Sequence, residues 1–302
     1  PIKTLIPKTF GASLPMAGIV PHDLRKTKSL GDLLLDDLNW PLGKPITGKY
    51  VRDLRSCDHI VIFPYSKNLL SRRPKLACNI SLALPEPRAI HSTYYLLLPL
   101  IRRKYLHVFT RYKNLDTPTN NIVMVPLACS AIPPTISGLA TEQRKPLSLI
   151  ASNKQTTKGH KLRHKIIQQL KPLNFDVDIL GRGYQPYEQD HEGLLPYKYS
   201  VVIENAQEDN YFTEKLINCL LCRTVPIYWG CSDIDEYFDT SNWFIFDNIE
   251  EGMDAIQQAL TTKPDSNAIE KNFQQALHYL DPDNLCASYL LNVPEEKVKI
   301  KN

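Results

Sequence analysis

No stretch of this sequence is apolar for long enough to cross a bilayer: the longest strongly hydrophobic run, Tyr94 to Ile101, falls far short of the ~20 residues a membrane helix needs. A disulfide framework is missing too, because the seven cysteines are odd in number and scattered, without the spacing of a zinc module. Cys219 and Cys222 stand close together in Leu-Ile-Asn-Cys-Leu-Leu-Cys, where helical spacing makes both small core residues; a thioredoxin-like site would follow a strand. Charge of one sign is also lacking. Thirty-six basic residues against 32 acidic ones leave a formal +4, too mild to indicate a nucleic-acid partner. Basic patches at 72–75, 102–104 and 158–165 are of the kind that usually form solvated faces, and the third alone bears on the candidate site. Glycine is sparse, 12 residues, and Gly181-Arg182-Gly183 is too short for a dinucleotide fingerprint. Low-complexity segments and short repeats do not occur. The chain opens on Pro1 rather than Met, so it reads as a processed or trimmed product; a cytoplasmic location is favoured, with the Golgi lumen left open.

What is there suits a globular chain: 302 residues, about two domains at ~150 residues each, with 43% hydrophobic and 23% charged residues. Residues 1 to about 41 read as irregular, with one amphipathic piece from Leu30 to Leu38. Apolar runs rich in Val, Ile and Leu then predict strands at His59–Phe63, Leu76–Leu84, Leu106–Thr110 and Ile122–Leu127, with a helix within Ala89–Lys104 that Pro99 would kink or end. A second series follows. Strands are expected at Leu147–Ala151, Phe175–Leu180, Tyr199–Ile203, Val225–Trp229 and Trp243–Phe246. Helices are expected around Leu162–Leu170, Thr213–Cys222, Ile249–Leu260 and Ala268–Leu280, the last closing the chain. Strands alternating with helices, twice over, predict α/β architecture: one domain over residues 1–140 and a second over 141–302.

The most informative stretch runs from Tyr197 to Leu216. A buried strand ends at Glu204-Asn205, an acidic loop follows, and Thr213 is placed to cap a helix that begins Glu214-Lys215. In an open parallel sheet, ligands bind outside the carboxyl ends of strands, where this loop must lie. Glu214 suits the helix dipole and Lys215 opposes it, a conflict that a bound anion would remove. Spacing alone leaves Lys215 readable as a surface lysine and Asn205 as a turn cap.

The order Glu204-Asn205-x5-Tyr211-x-Thr213-Glu214-Lys215, continued by Thr224-Val-Pro-Ile-Tyr-Trp-Gly230, resembles the donor-binding signature of the family 10 glycosyltransferases, the α-1,3/4-fucosyltransferases. The resemblance is clearest from about Leu147 to Leu260. It implies a GT-B fold, two Rossmann-like doubly wound domains facing a cleft: an amino-terminal acceptor-side domain and a carboxyl-terminal nucleotide-sugar domain. By position, Lys215 resembles the lysine that meets the donor pyrophosphate, and Asn205, Tyr211 and Glu214 match residues around its ribose and sugar. Ser152-Asn153 followed by Arg163 resembles the family's Ser-Asn and phosphate-binding arginine, with Lys161 as the competing candidate. From their place in the loop after Gly181-Arg182-Gly183, Tyr184 and Tyr187 are expected as neighbours of the base, although aromatics beside donor strands are more often core. Cations fixed beside a departing diphosphate would lower the barrier and take the part a divalent metal plays elsewhere. No metal is therefore expected, and Asp176-Val-Asp178 and Asp233-Ile-Asp235 read as a strand edge and a helix start.

An acceptor hydroxyl must lose a proton as it attacks. Glu86, in Pro85-Glu86-Pro87-Arg88 at a strand's carboxyl end, resembles the family's catalytic glutamate; His91 and Glu204 are runners-up, and Arg88 is an orienting or acceptor contact. The expected activity is inverting transfer of a sugar, fucose from GDP-fucose, to a hydroxyl of an oligosaccharide or glycoprotein. Another donor such as UDP-xylose, or a non-catalytic nucleotide-sugar or glycan-binding role, stays open. No nucleic-acid partner and no membrane segment are expected.

Overall fold

The computed structural model describes residues 14–24, 29–45, 47–64, 75–88, 90–130, 132–133, 136, 144–173 and 175–293. The chain divides into two compact units between Val125 and Pro126, and residues from Pro282 return to the first. The sequence points to a boundary near residue 140. It falls earlier because Ala128 is buried in the second unit's core and Ser130 Oγ donates to Asn218 Oδ1 in that unit at 2.6 Å.

In the first unit the elements are β1 (Ala17–Ile19), β2 (His59–Ile62), β3 (Asn79–Leu84), α1 (Ser92–Ile101), β4 (Val108–Thr110) and β5 (Ile122–Met124). The five strands pair in parallel, in the order β1-β2-β3-β4-β5. Fully parallel strands are covered on both faces, which is why they read as unbroken apolar runs: Ile60, Ile62, Leu82, Leu84 and Val108 pack under Tyr94, Leu98 and Ile101 of α1. Pro99 does not stop α1, which passes two residues later into a tighter turn over Arg102–Lys104. Strand β1 is not legible in the sequence, being three residues inside a stretch that looks irregular. Its pairing with β2, from Ala17 opposite His59 to Ile19 opposite Val61, defines it. The amphipathic piece Leu30–Leu38 forms two short 3-10 turns rather than a helix.

The second unit holds β6 (Lys145–Ile150), α2 (Lys158–Leu170), β7 (Val177–Leu180), β8 (Tyr197–Ile203), α3 (Glu214–Leu221), β9 (Val225–Trp229), β10 (Phe244–Ile245), α4 (Ile249–Thr261) and α5 (Ser266–Ala276). Its strands are parallel in the order β10-β9-β8-β6-β7. The chain starts in the middle, steps to β7 on one side and returns to build β8, β9 and β10 on the other. The winding reverses between β6 and β8, which opens a crevice above their carboxyl ends.

Helices α2 and α3 pack by the stripes Leu162, Ile166, Ile167, Leu170 and Leu216, Ile217, Leu220, Leu221. Cys219 on α3 and Cys222 at its carboxyl end are fully buried, and burial pushes both thiols up, as core residues. A further helix, α6 (Pro282–Leu290), follows the point where the sequence appears to end its last element. It belongs to the first unit, where it packs on β1 and sets the Tyr289 ring edge-on to Phe109 at 5.6 Å.

Candidate functional site

A cavity of about 410 Å³ opens at the reversal of the second sheet. Its walls are the ends of β6 (Ile150 to Ser152) and β8 (Val201 to Ile203, then Asn205), the first turns of α2 and α3, and the loop after β7. Two helix amino termini therefore converge on one crevice, each with free N–H groups and a positive dipole end.

Glycines allow the approach. Gly159 lies in the first turn of α2 directly against β8, where an added Cβ would fall 1.7 Å from the Glu204 carbonyl oxygen, and its N–H donates to the Asn205 carbonyl at 3.2 Å. Gly181, in the cavity wall, adopts φ +111° with the Ala151 carbonyl where a Cβ would be.

Arg163 enters the cavity from the second turn of α2. It is 6% exposed; Nη2 donates to the Ile203 carbonyl at 2.8 Å and to Asn205 Oδ1 at 3.3 Å, while Nε is buried with no hydrogen-bond partner. Burial pulls its pKa down, and no carboxylate forms an ion pair with it among the described residues. An arginine so placed has donor capacity to spare for a ligand anion.

Lys215 reaches the same space from the start of α3. Its Nζ donates to Glu214 Oε1 at 2.8 Å and Thr213 Oγ1 at 3.0 Å and stands 3.6 Å from Glu204 Oε2. Burial works against the ammonium, yet Glu204 and Glu214 together hold its pKa above the usual lysine value. The conflict with the dipole is thus offset by carboxylates on either side. Glu204 is fully sealed from solvent and accepts from Thr213 N–H at 2.8 Å and Thr213 Oγ1 at 2.7 Å; burial pushes its carboxyl up. A base must touch its substrate, so this geometry takes Glu204 out of that role and makes it the buried tether beneath the cap of α3. Lys154, Arg163, Arg182 and Lys215 line the cavity against Asp190 and Glu214, so four cations face two carboxylates.

Of the residues singled out from the sequence, Ser152, Arg163, Tyr187, Asn205, Glu214 and Lys215 meet here. Lys161 does not: it is exposed on the outer side of α2, and Arg163 takes the inward position. Asn153 is exposed beside Gly183 and Tyr211 is fully buried; neither lines the cavity. Tyr184 is turned toward His164, its hydroxyl 2.9 Å from Nδ1, and Tyr187 stands in the wall instead. The sequence did not point to His160, Lys154, Asp190 or Asn218. His160 and Asn218 carry a signal, since each lies three residues along its helix from a chosen cation and so shares its face. The D-x-D motifs serve as struts: Asp178 accepts from Lys145 and Tyr197 at 2.7 and 2.8 Å, and Asp233 from the Asn210 N–H at 2.7 Å.

In the first unit, Glu86 sits half-buried in the bend after β3. The bend is pinned: Tyr95 donates its hydroxyl toward the Leu84 and Glu86 carbonyls, each at 3.2 Å, and buried Arg111 donates to the Pro85 carbonyl. The Arg88 N–H donates to Tyr112 Oη at 2.8 Å and its guanidinium lies 4.6 Å over that ring, a cation–π contact that holds Arg88 at the surface. His91 stands at the N-cap position of α1 without a side-chain cap bond, its Nδ1 buried and unpartnered, and burial, then His22 and Arg111, lower its pKa.

Residues 140–266 match the model of the glycosyltransferase family 10 (fucosyltransferase) carboxyl-terminal region. Over 157 residues the chain is 26% identical to the α-(1,3)-fucosyltransferase FucT of Helicobacter pylori, an alignment covering 49% of this chain and 32% of that protein. Over 104 residues it is 28% identical to α-(1,3)-fucosyltransferase B of Drosophila melanogaster, covering 34% of this chain and 23% of the other. The chain thus spans about a third or less of these curated relatives' length. A crystal structure of an α-1,3-fucosyltransferase with GDP-fucose superposes with a TM-score of 0.54 at 17% identity, over 99% of this chain and 91% of that one. HepE of Anabaena in complex with UDP and glucose does so at 0.52 and 10%, over 78% of each. At these identities the solved structures share the fold.

Proposed function

We propose, from the match of residues 140–266 to the family 10 glycosyltransferase model, that this chain is an inverting fucosyltransferase that moves fucose from GDP-fucose to a hydroxyl of a glycan acceptor, without a metal. The observation that carries the reading is the pair Arg163 and Lys215, delivered by two helix amino termini into one crevice at the switch point of a parallel sheet. A guanidinium with an unspent buried donor and an ammonium held firmly protonated form a fixed positive seat for a diphosphate.

In the proposed reaction the acceptor oxygen attacks the anomeric carbon from the side opposite the diphosphate. Glu86 takes the hydroxyl proton, the C–O bond to the β-phosphate breaks, and the electron pair leaves on GDP. Negative charge grows on the departing oxygens along this path, so cations already in place stabilise the transition state more than the ground state. The relatives whose names carry α-(1,3)-fucosyl transfer, and the matching structure with GDP-fucose, support fucose and guanosine as the sugar and nucleoside. Among the described residues no three His, Cys, Asp or Glu side chains gather as a metal site.

The test is a donor panel of GDP- and UDP-sugars with a glycan acceptor, run with and without EDTA. GDP-fucose turnover that survives chelation is expected. Lys215→Ala and Arg163→Ala should each reduce kcat/KM by roughly 10²-fold or more, the scale of one preorganised donor to developing charge. Glu86→Gln should lower kcat with little change in donor KM. Turnover abolished by EDTA would refute the cation-pair mechanism, and an active Glu86→Gln enzyme would remove Glu86 from it.

A further inference from the structure

His160 stands on the first turn of α2, three residues before Arg163 and on the same helix face. It is 8% exposed and lines the cavity beside Arg163 and Lys215. One ring nitrogen is committed: Nδ1 accepts from the Thr157 N–H at 3.3 Å and lies 3.2 Å from Thr156 Oγ1. The Thr157 hydroxyl accepts in return from the His160 N–H at 3.2 Å, so imidazole and threonine close a reciprocal cap in which histidine takes the place usually held by Glu or Gln. Because Nδ1 accepts a backbone N–H, a neutral ring carries its proton on Nε2. The hydrogen bonds of the ring among the described residues all run through Nδ1, which leaves Nε2 for a ligand.

Positive charge gathers around the ring, with Glu214 and Asp190 elsewhere in the cavity wall. Arg163 and His164 lie on its own helix, Lys154 on the preceding loop and Lys215 on α3; with burial as the largest cause, they push its pKa down to about 4. A cationic imidazole is therefore disfavoured. A neutral N–H donor is what this position supplies, next to an arginine whose Nε is buried and unspent.

We propose that His160, as a neutral imidazole, donates a hydrogen bond from Nε2 to a diphosphate oxygen of the bound nucleotide, completing a seat otherwise formed by Arg163 and Lys215. This rests on the donor-site reading above and adds a third, uncharged contact. It assigns the ring two simultaneous tasks, capping α2 through Nδ1 and holding the ligand through Nε2.

The two tasks separate by substitution. In His160→Asn, the side-chain oxygen falls near the position of Nδ1, so the cap survives while the far donor is lost; in His160→Gln, the usual residue of such a box, one amide closes the cap and no ring nitrogen is left at the position of Nε2. Inorganic pyrophosphate and GDP are titrated by calorimetry into the native chain and both variants, alongside thermal melts. The expected result is that His160→Asn melts like the native chain but binds both probes ~10- to 100-fold more weakly, the scale of one hydrogen bond to a charged group. His160→Gln should also melt like the native chain, since glutamine closes the same box, and should bind both probes more weakly than the native chain. Native affinity in His160→Asn would reduce His160 to a cap and overturn the proposal. Pyrophosphate reports on this contact whatever sugar or base the donor carries. Pyrophosphate binding without fucosyl turnover would therefore sink the activity reading alone, and absence of binding of both probes to the native chain would sink both.

Should His160→Asn fail to fold, the native chain labelled with 15N-histidine supplies the answer. One ring is expected to show the Nε2–H tautomer, with its Nε2 resonance moving on pyrophosphate addition. An Nδ1–H tautomer, or an Nε2 indifferent to pyrophosphate, would overturn the proposal.

Discussion

Gly159→Ala sets two effects against each other, and the structure decides the sign. In a helix, alanine is favoured over glycine by up to ~1 kcal/mol, so on an exposed face the change would stabilise. Here the new methyl would sit 1.7 Å from the Glu204 carbonyl oxygen, 2.8 Å from its carbon and 3.1 Å from Asn205 Cα. All three are backbone atoms, which cannot rotate away. Restoring an ordinary contact of 3.4 Å or more requires α2 and the end of β8 to part by on the order of 1.5 Å, breaking the hydrogen bond from Gly159 N–H to the Asn205 carbonyl. Overpacking of this kind costs ~1–3 kcal/mol or more, and it outweighs the propensity gain. At about 2–4 °C per kcal/mol for a unit of this size, the melting temperature should fall by several degrees. The site should suffer more than the fold. Arg163 and His160 ride on the displaced helix end, and a misplacement near 1 Å costs ~10²-fold in rate. Differential scanning calorimetry paired with GDP titration and donor turnover reads both effects. A variant that melts at or above the native temperature and binds GDP normally would show that the α2–β8 approach does not build the site.

Two further outcomes follow from burial and hydrogen bonding. Cys57 and Cys129 are exposed whereas the other five cysteines are buried, so a thiol reagent such as DTNB at pH 8 should label two groups quickly and five only after denaturation; fast labelling of Cys219 or Cys222 would contradict their place in the α3 core. Asp239 accepts from Lys271 Nζ at 2.8 Å and from Ser241, which bring its pKa down to about 2. A depressed carboxylate contributes stability that is complete above its unfolded value near 4 and is lost as pH falls toward 2. Asp239→Asn should therefore flatten the acid limb of a thermal-stability profile between about pH 4 and pH 2, and an unchanged limb would show that these bonds do not couple to folding.

Glu204 and Lys215 show where local sequence stops informing. The strand before them, the cap at Thr213 and the helix after it were legible because each rests on neighbours along the chain: an apolar run, a hydroxyl two residues from its N–H partner, a 3.6-residue stripe. The burial of Glu204 was not legible, because it depends on α2 closing over β8 from 45 residues away in sequence, a contact that only a glycine at 159 permits. The same reason removed Tyr184 and Lys161 from the cavity and brought in Lys154 and His160: helical and loop spacing tells which residues share a face, not which face meets another element.

Sequence alone determined the alternation of strands and helices, the exact span of β9, the position of α2 and α3, and the motif that links them to a donor site, since these are short-range consequences of periodicity and capping. Tertiary structure decided that β6 and β8 are neighbours with the winding reversed between them, that β1 exists at all, and that α6 returns to pack on it. Those are pairings between distant segments, fixed by which surfaces bury each other best, and no local pattern encodes them.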